Sequence, residues 1–128
     1  MKIEEIGKEI VDSAFQVHSN LGPGLLESSY QACLSYELES RGLSVESEVE
    51  LPLVYKGKEI KVGYRLDLLV EQQIIIELKA VDLLRPIHQA QLLTYLKLTR
   101  CSLGYLINFN VSLIKDGLRR IVHNHPAT

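Results

Sequence analysis

The stretch Gly63-Tyr64-Arg65-Leu66-Asp67-Leu68-Leu69-Val70-Glu71-Gln72-Gln73-Ile74-Ile75-Ile76-Glu77-Leu78-Lys79 decides how this chain folds. Leu66, Leu68 and Val70 alternate with Arg65, Asp67 and Leu69, and Ile74, Ile76 and Leu78 alternate with Ile75, Glu77 and Lys79. Period two is the spacing of a strand, so two strands are expected, each with one wholly apolar face and one that carries charge. If Glu71-Gln72-Gln73 forms a loop of odd length, Val70 pairs with Ile74. The antiparallel register then sets Asp67 opposite Glu77 and Arg65 opposite Lys79. An even loop without a bulge would put Asp67 beside Leu78 instead.

Two carboxylates facing each other on a sheet repel, so something positive belongs between them. Lys79, two residues beyond Glu77 on the same face, supplies one charge, and a divalent cation bound by both carboxylates would supply the rest. Hard oxygen ligands of this kind suit Mg²⁺ or Mn²⁺, which need few protein carboxylates and keep several waters. The competing reading is a surface hairpin whose outer face happens to be charged. Against it stand Ile74-Ile75-Ile76 and Leu66-Leu68-Leu69-Val70, which read as strands covered on both faces, where an unpaired carboxylate is costly.

Working outward, Val45 to Tyr55 alternates cleanly, with Val45, Val49, Leu51 and Leu53 on one face and Glu46, Glu48 and Glu50 on the other. Pro52 cannot donate to a ladder and argues for an edge strand, and Tyr55-Lys56-Gly57-Lys58-Glu59 reads as the turn into the Asp67 strand. A three-stranded antiparallel meander results. Before it, Ile3, Ile6, Ile10, Ala14 and Val17 carry the spacing of an amphipathic helix that Asn20-Leu21-Gly22-Pro23-Gly24 stops. A second helix, from about Leu25 to Arg41, ends at Gly42. On it Glu27, Leu34 and Leu38 share one stripe with Tyr30 beside them, which puts this carboxylate within an apolar face, as a cap, a paired group or a cation ligand.

After Asp82 the period changes. Pro86 fits the first turn of a helix to about Thr99, with His88, Gln91 and Tyr95 on one face and Ile87, Ala90, Leu93 and Leu98 available for packing. This crossover helix leads to a strand over Leu103 to Phe109, expected to pair in parallel. Lys115-Asp116-Gly117 turns into a last strand, Leu118 to Val122, and His123, Asn124, His125, Pro126 and Thr128 read as a fraying tail. The fold class is therefore mixed, α/β (α+β), in the order αα-βββ-α-ββ, with residues 1–128 forming one domain.

The 128 residues are 46% hydrophobic and 23% charged, the composition of a soluble globular chain with a real core. No apolar run reaches bilayer length and the first residues carry no signal-peptide pattern, so a cytoplasmic protein without membrane contact is expected. Cys33 and Cys101 match no metal or redox spacing and read as small reduced hydrophobes. A net charge of −2 argues against a module whose main task is gripping nucleic acid. The charge is uneven, however: residues 1–78 hold 7 Lys and Arg against 14 Asp and Glu, and residues 79–128 hold 7 against 2. That asymmetry permits a local phosphate-facing surface.

Asp67 and Glu77-Leu78-Lys79 on neighbouring strands, between helices in this order, resemble the PD-(D/E)xK nuclease superfamily and its restriction-endonuclease-like core. Gly24-Leu25-Leu26-Glu27-Ser28-Ser29-Tyr30 resembles the signature of its GxxExxY family, as do Asn108-Phe109-Asn110 and Lys115-Asp116-Gly117. The resemblance spans about Ile6 to Val122, although the Pro-Asp of the superfamily name is replaced by Leu66-Asp67. It implies Asp67 and Glu77 as metal ligands with the Leu78 carbonyl, and Glu27 as an additional carboxylate beside the metal. It implies Lys79 as the group that orients the attacking water and offsets phosphate charge. Gln91 and Tyr95 resemble the Gln-x-x-x-Tyr motif of RecB-like nucleases, where they support the site, and Tyr95, Arg65 and Tyr30 stand as substrate contacts. The implied activity is Mg²⁺- or Mn²⁺-dependent hydrolysis of DNA or RNA, with weak or partner-dependent engagement and self-association left open. The alternatives are a non-catalytic nuclease-fold binding or assembly module, and an enzyme on another phosphodiester.

Overall fold

Val70 pairs with Ile74 across Glu71, Gln72 and Gln73, which is the odd-loop register, and Leu69–Ile75 and Leu68–Ile76 follow. Glu71 and Gln72 both take positive φ, 52° and 56°, and Glu71 exchanges hydrogen bonds with Ser44 through its N–H and its carboxylate. Gln73 N–H closes the loop on the Val70 carbonyl at 3.0 Å, so the loop is held at both ends, and the register with it. These relations come from a computed structural model that describes residues 1–126. Thr128, the last residue of the expected tail, lies outside the described residues.

The elements are α1 (Ile3–Leu21), α2 (Glu27–Ser40), β1 (Val45–Tyr55), β2 (Lys58–Val70), β3 (Ile74–Lys79), α3 (Pro86–Thr99), β4 (Leu103–Asn108) and β5 (Leu118–Val122), with a 3₁₀ turn at Ile114–Asp116. The order αα-βββ-α-ββ is as expected. The strands lie side by side in chain order, antiparallel except for β3 and β4, which the α3 crossover makes parallel. β1, carrying Pro52, is an edge. Among the described residues no helix is long and apolar enough to cross a membrane.

The sheet separates two cores. On one face α1 and α2 bring Ile6, Ile10, Tyr30, Leu34 and Leu38 against Leu68, Val70, Ile74, Ile76 and Leu78. On the other, α3 brings Leu92, Tyr95 and Leu96 against Leu66, Leu69, Ile75 and Leu106. The packing stripe of α3 is therefore not the one expected: Ile87 is 68% exposed and Ala90 is exposed too. Leu92, Tyr95 and Leu96 follow the i, i+3, i+4 spacing of a single face, and only that face reaches β3 and β4.

The unbroken alternation expected for β1 and β2 also fails. Val45 packs with the first core while Val49 and Leu51 pack with the second, and Leu66 joins Leu69 rather than Leu68 and Val70. The switch lies between Val49–Leu66 and Ser47–Leu68, where Glu48 has φ 53° and neither Glu48 nor Asp67 is in the ladder. A residue in left-handed conformation turns the pleat over, so every side chain beyond it changes face. Asp67 sits at this break.

The tail does not fray over residues 123–126. His123 N–H donates to the Ser102 carbonyl at 2.9 Å, and the His125 ring bonds both Ser102 Oγ and Glu4 of α1. Cys33 and Cys101 are both free, Cys33 exposed and Cys101 half-buried.

Candidate active site

Pairing between β2 and β3 ends at Leu68 and Ile76, although β2 reaches back to Lys58 and β3 runs on to Lys79. The acids stand where it ends. The Asp67 N–H donates to Glu77 Oε1 at 3.0 Å, and the Leu78 N–H donates to Asp67 Oδ2 at 2.8 Å. Each carboxylate thus takes a backbone donor of the opposite strand in place of a ladder bond. This cross-bonding holds both acids at the parting of the strands, facing the same cavity.

That cavity is about 280 Å³, lined by Glu27, Asp67, Glu77, Lys79, Gln91 and Tyr95, and also by Glu48 and Arg65. The far side of β3 is fixed by the Asn108 side chain, which accepts from Val81 N–H at 3.0 Å and donates to the Val81 carbonyl at 2.9 Å. Phe109 N–H donates to the Lys79 carbonyl at 3.0 Å. The Asn108-Phe109 segment thereby sets the path of the chain on either side of Lys79's exit from the sheet. Gly117 belongs to the same device: its carbonyl accepts from Asn108 N–H, and a Cβ there would overlap the Asn108 carbonyl.

Burial dominates the electrostatics. Glu77 is only 6% exposed, and burial, then the neighbouring Asp67 charge, push its carboxyl up to about 8. Asp67 is raised as well, first by burial and then by Glu27 and Glu48, against the Leu78 N–H bond and Lys79, which lower it. Burial raises the Tyr95 hydroxyl, the two acids raise it further, and a hydrogen bond with Gln91 opposes them. On the outer side of Lys79, burial and the charges of Lys79 and Arg85 hold the His88 ring below its ordinary value. Both shifts favour the protonated form of the acid pair.

Among the described residues no three His, Cys, Asp or Glu side chains are gathered tightly enough to enclose a metal ion. Two carboxylates do converge, and their chemistry fits a hard divalent cation, because a buried like-charged pair is relieved by positive charge between its oxygens. Asp67 and Glu77 are the residues able to hold such an ion. A magnesium-type shell completed mostly by water needs no protein cage.

Glu27 is exposed, not within the apolar stripe. It is the first residue of α2, one turn before Tyr30, Leu34 and Leu38 begin the buried face, so it projects beyond the core over the cavity. Tyr30 does not line the cavity and cannot meet a substrate there. Fully buried, it stacks on Phe109 at 4.6 Å, donates to the Gly22 carbonyl at 2.6 Å and accepts from Leu25 N–H at 3.1 Å. Its work is to pin the loop that delivers Glu27. Arg65 does line the cavity, 4.0 Å from Glu48.

Glu48 was not foreseen. It accepts from Gln31 Nε2 at 3.2 Å and faces Asp67 across the break in the pleat. Read from the Lys56-Gly57 turn with no bulge, the register puts Glu46 in that position; the bulge at Pro52, where the register shifts by two, brings Glu48 there instead.

A family model described as the PD-(D/E)XK nuclease superfamily matches residues 4–121. Comparison with curated proteins and with solved structures gave no match.

Proposed function

We propose that this chain, which belongs to the PD-(D/E)XK nuclease superfamily, hydrolyses phosphodiester bonds of nucleic acid with Mg²⁺ or Mn²⁺ held by Asp67 and Glu77. Nucleases of that superfamily generally use divalent metals, and the superfamily implies a nucleic-acid substrate. Within it we assign the chain to the GxxExxY branch, on Gly24, Glu27 and Tyr30, as a single domain. A cytoplasmic setting belongs to the same reading and suits two free cysteines.

The observation that carries the reading is the cross-bonded acid pair at the parting of β2 and β3, with Lys79 on the same cavity. A protein that only needed a stable sheet would be better served by apolar residues there. When bound, the cation would polarise a phosphoryl oxygen and lower the pKa of its water. The Lys79 ammonium orients the attacking water and offsets charge on the phosphate. Glu27, on the cavity wall, would add a carboxylate oxygen, and the Leu78 carbonyl would be a further ligand. Gln91 supports Tyr95 on the cavity wall, and Tyr95 and Arg65 bind phosphate there.

Single-stranded DNA, duplex DNA and RNA are to be incubated with wild type, Glu77→Gln and Lys79→Ala, each with Mg²⁺, Mn²⁺ or EDTA. The expected result is metal-dependent cleavage of at least one substrate, reduced about a hundredfold or more in either variant. Equal cleavage by wild type and variants would refute the assignment. No cleavage by wild type would favour the binding or assembly module.

A further inference from the structure

The chemistry above leaves unexplained the arm that β1 and β2 form beyond β3. From Val49 and Leu66 outward to the Lys56-Gly57 turn, it is a two-stranded ribbon with no third strand among the described residues. Exposed ribbons are usually blunted with charge and stripped of apolar surface. Here Val54, Tyr55, Val62 and Tyr64 are exposed, the first three at 57, 59 and 47%. The charge is just as marked. Lys56, Lys58, Lys61 and Arg65 are four of the seven basic residues among the first 78, and the arm sets them against two acids, Glu59 and Glu50, the latter opposite Arg65.

The arm is also shaped. Opposite Pro52, which has no N–H for the ladder, β2 carries Lys61, Val62 and Gly63 where β1 carries one residue, and Gly63 takes φ 78°. Beside this bulge lies a second cavity of about 510 Å³, lined by Leu51, Pro52, Lys61 and Val62, with Glu50 and Glu59 also on its wall. It shares Gly63, Tyr64 and Arg65 with the active-site cavity, so the two form one continuous track. At their junction Tyr64 meets Tyr95 edge to face, with centroids 6.1 Å apart. At the tip the Lys56 ammonium lies 5.4 Å from the Tyr55 ring centroid.

We propose that this arm is the docking track for a single-stranded segment of nucleic acid, its phosphates following Lys56, Lys58, Lys61 and Arg65 and a base stacking on Tyr64 at the mouth of the active site. The inference rests on the nuclease reading of the adjoining cavity and names the strand state of its substrate. Basic side chains alone would serve a duplex equally well. Exposed rings between them favour unpaired bases, whose faces are free to stack. The track concentrates positive charge in the half of the chain that is otherwise acidic, which makes a protein partner of ordinary acidity or a second copy of this chain a poorer occupant than a polyanion.

The test is fluorescence anisotropy of labelled oligothymidylate with the full chain in EDTA, where no hydrolysis is needed, beside an RNA strand and a duplex. The single strands are expected to bind more tightly than the duplex. Lys56→Gln/Lys58→Gln/Lys61→Gln should weaken binding at low salt and reduce the slope of log affinity against log salt by about 2. Tyr64→Ala should lose about tenfold in affinity, with Tyr64→Phe close to wild type. Should Tyr64→Ala unfold, the lysine variant, changed only at exposed positions, carries the test. Duplex bound as tightly as single strand, or a lysine variant that binds like wild type, overturns the proposal. So does a dimer in sedimentation that Val54→Asp dissolves while oligonucleotide affinity is unmoved. Arm-dependent binding without metal-dependent cleavage would refute the nuclease activity and leave the track standing; cleavage indifferent to the arm would do the reverse.

Discussion

Replacing Glu77 by Gln should stabilise the metal-free protein at high pH and leave it nearly unchanged at low pH. Glu77 is almost fully buried and its carboxyl is pushed up to about 8 from an ordinary 4.5, by burial and then by Asp67. The folded chain therefore binds a proton that the unfolded chain has already released between those two values. The stabilisation linked to that proton is complete below about pH 4.5 and is lost as pH rises through about 8. At about 1.36 kcal/mol per pH unit, an elevation from 4.5 to about 8 corresponds to about 5 kcal/mol. That is a large part of the 5–15 kcal/mol by which domains of ordinary size are stable. Asp67, raised too, acts in the same direction.

Gln cannot ionise, and its amide oxygen can still accept the Asp67 N–H that Glu77 Oε1 accepts at 3.0 Å. The variant keeps the bond and sheds the charge. The assay is urea unfolding of both proteins in EDTA at pH 5, 7 and 9, taking the difference in free energy so that titrating groups remote from Glu77 cancel and what is left belongs to the Asp67–Glu77 pair. The two should agree at pH 5 within about 1 kcal/mol, and the variant should be the more stable by several kcal/mol at pH 9. A difference that stays constant with pH, or a variant that is the less stable at pH 9, would refute the claim that burial and like charge dominate this site.

Tyr30→Phe removes a hydroxyl bonded to the Gly22 carbonyl and the Leu25 N–H, and should cost about 1–2 kcal/mol in denaturant unfolding while lowering cleavage through the displaced Glu27. Gly117→Ala sets a methyl against the Asn108 carbonyl and should cost about 1–3 kcal/mol by the same measurement, with the loss tracing to the Asn108 contacts that shape the exit of β3.

Much of this was legible in the residues because the decisive signals are local. Three residues between Val70 and Ile74 are enough to fix the register that brings Asp67 level with Glu77, and Pro86 at the first turn of α3 is enough to mark where the helix begins. The break in β1 and β2 was not legible. Period-two reading assumes an unbroken pleat, and nothing about Glu48 as a residue type announces a positive φ. Pro52 and Gly63 were the available signals for a bulge, since one lacks a ladder donor and the other tolerates the backbone required. Their consequence was a register shift of two that exchanges Glu46 for Glu48 beside Asp67. The stripe of α3 was not legible for another reason: helical spacing says which residues share a face and not which neighbour covers it. Leu92, Tyr95 and Leu96 are as apolar in the sequence as Ile87, and only the sheet distinguishes them.

The claim on which everything else depends is that Asp67 and Glu77 together hold one divalent cation. Calorimetric titration of the chain with Mn²⁺ at pH 7, in two buffers of different ionisation heat, tests it directly. One saturable site is expected, with about one proton released per ion as the acid pair gives up the proton it holds, and Asp67→Asn with Glu77→Gln should abolish both. Absence of saturable binding in the wild type, or binding that survives in the double variant, would contradict the account.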